Sequence, residues 1–331
     1  MPRQAETIPG RDEFARSTEP FRRELLAHCY RMLGSLDEAE DLVQETFLRA
    51  WRSHAGFEGR SSLRVWLYRI ATNACLTALE QRGRRALPSG LGAPSDDPDG
   101  APVVAGPAEL GTVSWLGPIP DALVTGPAED PAAIAVARES LRLGLIACLQ
   151  FLPARQRAVL ILRDVLAFPA AEVAAMLGTS TVAVKSALQR ARARLEQVAP
   201  SPEDVSEPAE PGPRALLDAY ISAFQNADPA ALERVLRKDA ALEPVGSLTW
   251  FSGRDTCMRY VCRYFGAPGD WQMAATAANG QPAAAAYLRG ADGVHRAFGL
   301  AVLTVTATGI SRIVVFGDPG LVTRFGFPPE R

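Results

Sequence analysis

Lys185, Ser186, Gln189 and Arg190, with Arg192 and Arg194 after them, place ammonium, hydroxyl, amide and guanidinium donors at helical spacing within ten residues that contain no acid. Donors of these types suit the edges of base pairs and the phosphates beside them. The elements that must hold them are legible around them. Pro169 can open a helix. Ala170, Val173, Ala174 and Leu177 then follow i, i+3, i+4, i+7 spacing and form one apolar face. Gly178 stands where the chain must turn, and Thr179, Ser180 or Thr181 can cap the next helix. In that helix Val184, Leu188, Ala191 and Leu195 form the inward stripe, opposite the donors. The pattern predicts a helix-turn-helix whose second helix enters a DNA groove. An amphipathic hairpin with a solvated basic face is the plainer alternative.

A second set of chemically able residues lies near the N-terminus. Asp37, Glu38, Glu40, Asp41, Gln44 and Glu45 crowd the start of a helix-periodic segment over 25–52. They can serve an interface with a basic partner, or be acids favoured at a helix start by the macrodipole. Ser35 or Asp37 can cap that helix, and Ala39, Leu42, Val43, Phe47 and Ala50 form its apolar face. The segment 61–85 is again helix-periodic and follows the loop Phe57-Glu58-Gly59-Arg60. Trp66 and Asn73 stand two turns apart in it. An aromatic ring, an amide and an arginine are what a protein needs to stack on and hydrogen-bond an unpaired base. A core tryptophan and a surface asparagine are the alternative.

Three blocks in this order resemble a known family. They are Asp37-Glu38-Ala39-Glu40-Asp41-Leu42-Val43-Gln44-Glu45-Thr46-Phe47, then Trp66-Leu67-Tyr68-Arg69-Ile70-Ala71-Thr72-Asn73, then Leu152-Pro153-Ala154-Arg155-Gln156-Arg157 leading into the helix-turn-helix. The chain resembles the extracytoplasmic-function sigma factors of bacterial RNA polymerase. The resemblance implies that Asp37, Glu38, Glu40, Asp41, Gln44 and Glu45 face core RNA polymerase. It implies that Phe57, Arg60, Trp66 and Asn73 handle a base flipped from the −10 element, and that Lys185, Ser186, Gln189 and Arg190 read the −35 element of promoter DNA.

Composition agrees with this. The 331 residues are enough for two or three domains. The 35 basic and 37 acidic residues give a net charge of −2. Screening confines a local basic patch to roughly 8–10 Å, so an acidic chain can still bind DNA. There is no run of about 18 apolar residues and no leader, so no membrane insertion and a cytoplasmic location are expected. The five cysteines form no CxxC pair. Incidental thiols are expected rather than a disulfide framework or a metal site, and neither cofactor nor metal is expected.

The expected organisation is multidomain: two all-α helical domains, the second a helix-turn-helix, then an α+β cone with a curved antiparallel sheet. The boundaries are 13–86 for the first helical domain, 87–130 for a Pro/Gly/Asp-rich linker, 131–198 for the second helical domain, 199–213 for a Pro/Glu linker and 214–331 for the cone. Residues 1–12 are expected to be disordered. Within the first linker Trp115-Leu116-Gly117-Pro118-Ile119-Pro120-Asp121 reads as an island that docks. In the last part helices are expected over 214–227, 229–237 and 254–265, and strands over 271–278, 283–289, 295–307 and 310–317. This succession resembles the SnoaL-like branch of the nuclear-transport-factor-2-like fold. Tyr220, Trp250, Tyr260, Trp271 and Phe298 line a pocket there or simply fill the core. Asp218, Asp239, Asp255 and His295 lack the spacing of a catalytic set, so no catalytic residue and no enzyme activity are expected.

The function expected is promoter-specific transcription initiation, modulated in cis by the C-terminal domain, with an unidentified small ligand or regulator as a further partner. One rival is a polymerase-independent helix-turn-helix regulator with a ligand-binding domain; the acidic block argues against it. The other is a cyclase fused to a DNA-binding module.

Overall fold

The computed structural model describes residues 11–57, 59, 61–80, 82–99, 113–125, 138–198 and 211–331. The expectations for residues 1–10, for Arg60, and for the second linker up to 210 lie outside the described residues. The chain forms two units. One takes the described residues of 1–84, 122–129 and 148–199. The other takes those of 85–121, 130–147 and 200–331.

The first unit is all-helical. Helices α1 (Arg11–Thr18), α2 (Arg22–Leu33), α3 (Leu36–Ser53) and α4 (Leu63–Glu80) come first. The α2–α3 joint follows from local chemistry. Gly34 ends α2 at φ 70°, a left-handed conformation that glycine adopts without a Cβ penalty, and the Ser35 side chain accepts from the Glu38 N–H. Leu25, Met32, Ala39, Val43, Leu67 and Ala71 fill the core between these helices. A four-residue helix, α5 (Asp121–Val124), and α6 (Leu143–Leu149) each contribute residues to both units. Next come α7 (Ala154–Leu160), continued by a π turn over Ile161–Val165, then α8 (Ala170–Leu177) and α9 (Thr181–Val198). Both helical segments are as expected, and within this unit they pack on one another. The Phe168 ring meets Tyr68 of α4 edge-on at 5.0 Å, and Arg64 of α4 lies over Phe168 at 4.6 Å.

The second unit carries the α+β cone. Helices α10 (Pro211–Gln225), α11 (Pro229–Val235) and α12 (Arg254–Cys262) pack on a six-stranded sheet of order β2-β1-β6-β5-β4-β3. Its strands are β1 (Leu236–Val245), β2 (Phe251–Ser252), β3 (Trp271–Ala278), β4 (Gln281–Arg289), β5 (His295–Thr306) and β6 (Gly309–Phe316), followed by α13 (Pro319–Arg324). Register shifts at Ala286/Tyr287 and Thr304/Val305 bend the sheet. At Gly299 a Cβ would come within 1.9 Å of the Phe316 carbonyl, so only glycine allows that close passage.

The four expected strands match β3 to β6 within two residues. Strand β1 does not follow from the sequence, which reads as helix to 237 and then as unassigned. It pairs with β6 in parallel, the one departure from an antiparallel sheet. Residues such as Lys238, Asp239, Ala240 and Ala241 have little strand preference. Burial of Leu236, Ala240 and Leu242 and the ladder to β6 override it.

The described parts of the stretch expected to be a linker are built into this second unit. The Ala86 N–H donates to the Ser114 carbonyl and the Ala86 carbonyl accepts from the Leu116 N–H, so the pair of bonds brackets Trp115, and Leu116 and Ile119 are fully buried. Ser89 N–H donates to Glu243, and Trp250 donates to the Gly92 carbonyl. Asn279 lies in the β3–β4 turn at φ 58°, with Gly280 beside it at φ 66°. Its side chain accepts from the Ile119 N–H at 3.0 Å and donates to the Leu141 carbonyl at 2.7 Å. Its own N–H donates to the Ile119 carbonyl. A Cβ on Gly280 would press on the Arg138 backbone at 2.7 Å, so the turn sits directly against this connector.

Candidate nucleic-acid interface

The helix-turn-helix is built by the punctuation read from the sequence. Pro169 precedes the first residue of α8, Gly178 ends it at φ 61°, and the Ser180 hydroxyl accepts from the Ala183 N–H at 3.1 Å to start α9. Val173, Ala174 and Leu177 of α8 and Val184 and Ala191 of α9 are buried, while Leu188 and Leu195 are half-buried. Lys185, Gln189 and Arg190 are exposed and Ser186 is half-buried. Arg190 donates to the Ser186 hydroxyl at 2.6 Å, which presents the guanidinium along the α9 face. Arg192 is different. It forms a two-pronged pair with Asp164 at 2.7 and 2.8 Å, which ties α9 back to the π turn after α7.

On α4 the sequence-derived set divides. Trp66 is 5 % exposed. Phe57 lies over it at 4.7 Å between ring centroids, and His54 lies beside it at 6.2 Å. Phe57 is half-buried, so it is the ring of the pair nearer solvent. Asn73 is exposed, yet its amide donates to the Arg69 carbonyl at 2.8 Å and to the Met176 carbonyl of α8 at 3.3 Å. The structure brings Phe57 and Trp66 together and commits Asn73 to the helix-turn-helix. Other arginines of this basic segment have structural partners: Arg64 pairs with Glu24, Arg82 pairs with Glu38, and Arg84 lies over Phe151. Arg69 remains exposed one turn before Asn73, and the sequence reading left it out of the site.

Arg157 closes the junction between the two helical segments. Its guanidinium donates to Gln150 Oε1 at 2.8 Å, to the Gln150 and Leu152 carbonyls at 3.2 Å, and to the Met32 carbonyl at the end of α2. Burial lowers its pKa to about 10, because the charged form is desolvated, and it is still protonated at neutral pH.

The acidic block of α3 also divides. Glu38 is taken by Arg82, and Glu45 pairs with Arg49 at 2.7 Å. Glu40 is half-buried, and Asp37, Asp41 and Gln44 are exposed. Beyond them Leu48 and Trp51 are 50 % and 36 % exposed. Residues 37, 41, 44, 48 and 51 follow i, i+4, i+7, i+11, i+14 spacing, so they form one outward stripe, acidic at its start and apolar at its end. The apolar half was missed in the sequence reading, which placed Leu48 and Trp51 on neither face. The signal available was that both fall out of phase with Ala39, Val43 and Ala50.

Comparison with known proteins gives the following. A model of sigma-70 region 2 matches residues 18–85, and one of sigma-70 region 4 matches residues 142–195. The chain is 52 % identical over 322 residues to the ECF RNA polymerase sigma factor SigG of Mycobacterium tuberculosis, covering 96 % of this chain and 85 % of that protein. It is 30 % identical over 222 residues to the ECF RNA polymerase sigma factor SigJ of the same organism, covering 67 % and 61 %. The crystal structure of SigJ matches with a TM-score of 0.59 at 24 % identity, over 95 % of this chain and 99 % of that one, which shows a shared fold.

Proposed function

The chain belongs to the extracytoplasmic-function sigma factors of bacterial RNA polymerase, and from that premise we propose how its parts divide the work. It binds core RNA polymerase and directs initiation at particular promoters; the polymerase carries out the chemistry. The observation that carries the division is the pair of unlike faces within one helical unit. The α3 stripe of Asp37, Asp41, Gln44, Leu48 and Trp51 suits a partner that offers basic groups beside an apolar surface. The α9 face of Lys185, Ser186, Gln189 and Arg190 suits the −35 element. Phe57, Arg69 and Asn73, with Arg60 as the resemblance implies, serve the −10 element. Trp66 supports Phe57 from beneath. No described helix is long and apolar enough to cross a membrane, and the site of action is that of the polymerase, the cytoplasm.

The packing of the two helical segments sets a condition on activity. The −10 and −35 elements are separate stretches of duplex, which rises about 3.4 Å per base pair. With Asn73 hydrogen-bonded to Met176, the two DNA-reading parts cannot occupy both elements at once. The segments separate on polymerase, and the α4 face is uncovered as they do. The C-terminal unit governs that step in cis, because it holds the stretch that must span the two elements. Run-off transcription with core polymerase tests the reading. The full chain should support specific initiation, and without polymerase the protein should leave promoter DNA unshifted. A promoter shift by the protein alone would favour the polymerase-independent regulator.

Arg190→Ala is expected to weaken promoter binding by the holoenzyme by about 1–3 kcal/mol and to relax preference at one −35 position. Anisotropy titrations against promoters substituted at single −35 positions measure this. Unchanged affinity and unchanged preference would remove Arg190 from the reading set.

A further inference from the structure

Val182, in the first turn of α9, is 75 % exposed. The next most exposed large apolar residue among those described is Leu48, at 50 %. Valine is a poor choice for an open helix surface, because its branched Cβ loses rotamer freedom there and alanine has none to lose. Neither core packing nor helix preference therefore accounts for this side chain.

Its direction is set by the helix. Ser186 and Gln189 follow Val182 by four and seven residues, so the three lie in one row, and Lys185 borders that row. Val184 and Ala191, both buried, lie on the opposite side of α9. Val182 thus heads the row of donors, at the end of the helix that follows the Gly178 turn. In a helix-turn-helix the N-terminal residues of the second helix are those that contact base edges. The polar groups nearby are turned to the helix itself: the Ser180 hydroxyl accepts from the Ala183 N–H, and the Ser186 hydroxyl accepts from Arg190. In the middle of this face the first turn offers two methyl groups and neither a donor nor an acceptor.

The chemistry of the groove selects what such a group can meet. Guanine, adenine and cytosine present acceptors and amino donors at their major-groove edges, and thymine alone adds a C5 methyl. An isopropyl group pressed on an amino or carbonyl group strips its water and returns no hydrogen bond. Against a C5 methyl, apolar surface leaves water on both sides, worth about fourfold in affinity for one methyl-sized group. We propose that Val182 selects thymine at one position of the −35 element by packing its methyls on the thymine C5 methyl. The proposal rests on the reading of α9 as the −35 helix, and it adds a base preference that the donors of the later turns do not supply.

The test uses the holoenzyme, formed from the full chain and core polymerase, and a promoter duplex that it selects from a randomised pool. Each thymine on either strand of the −35 element is replaced in turn by deoxyuridine, which keeps every hydrogen-bonding group and lacks only the C5 methyl. Anisotropy titrations give the affinity of the parent, Val182→Ala and Arg190→Ala for each duplex. One replacement should weaken the parent by about threefold to fivefold, change V182A by less than about 1.5-fold, and weaken R190A as much as the parent. Alanine at this exposed position favours the helix, and circular dichroism checks that both variants fold. A parent indifferent to every deoxyuridine, or a V182A that keeps the full penalty, would overturn the proposal. A duplex with a scrambled −35 element tells this failure from that of the underlying reading. If scrambling weakens binding, only the assignment of Val182 falls; if it does not, α9 does not read the −35 element and both fall.

Discussion

Asn279→Ala is expected to free the connector from the sheet and to raise specific transcription severalfold. One side chain holds that connector at two points, accepting from Ile119 and donating to Leu141. Leu141 is the residue before the region 4 match begins at 142, and Ala86 follows the region 2 match that ends at 85. Ala86 is tied to Trp115 and through Leu116 leads to Ile119, so the exit of one region and the entry of the other are tethered to one hairpin. The substitution leaves a buried N–H and a buried carbonyl unpaired, at about 1–3 kcal/mol each. It also places alanine at φ 58°, a further roughly 1–2 kcal/mol. Released, the stretch 86–141 can extend by up to about 3.3–3.6 Å per residue, which lets the two regions part. Hydrogen exchange at the Ile119 amide reads the release, and run-off transcription reads its consequence. Asn279→Gly separates the two causes, since glycine accepts the left-handed turn but makes neither side-chain bond. Faster exchange with unchanged transcription would show that the connector is held for stability alone.

Leu48→Arg is expected to reduce affinity for core polymerase by about thirtyfold or more, the effect of losing an interface hot spot of about 2 kcal/mol. Leu48 is half exposed on α3 and closes the stripe that begins at Asp37. Because the position is on the surface, the fold should be retained, with a melting temperature close to that of the parent. Asp41→Ala, at the acidic end, should have a smaller effect that fades with salt, since exposed charge is screened within roughly 8–10 Å. Equilibrium binding of labelled protein to core polymerase at two salt concentrations measures both. Unchanged affinity in L48R would remove the apolar half of the stripe from the docking face.

Much of this protein was decided locally, and those parts were legible in the sequence. Pro169, Gly178 and Ser180 act on their own few residues, through a fixed φ, a missing Cβ and a side-chain acceptor. The helix-turn-helix could therefore be placed to within a residue. Alternation and Gly-containing turns placed β3 to β6 for the same reason. The family blocks carried the function, because they fall on helices whose periodicity is strong. What only the tertiary structure decided involves partners distant in sequence. Strand β1 exists because β6 accepts it in parallel, against its own residue preferences. Trp66 became a buried support because Phe57 and His54 close over it. Arg192 left the DNA face for Asp164, 28 residues away. Leu48 stayed half exposed, and Trp51, whose ring meets Phe14 of α1 edge-on at 5.3 Å, still keeps 36 % of its surface in solvent. The described parts of the expected linker are ordered in part because one asparagine in a hairpin satisfies the Ile119 N–H and the Leu141 carbonyl from 160 and 138 residues away. Local steric preference acts over a few residues and is written in their order. Burial and the pairing of polar groups act across space, and the order of residues does not state which distant group will arrive.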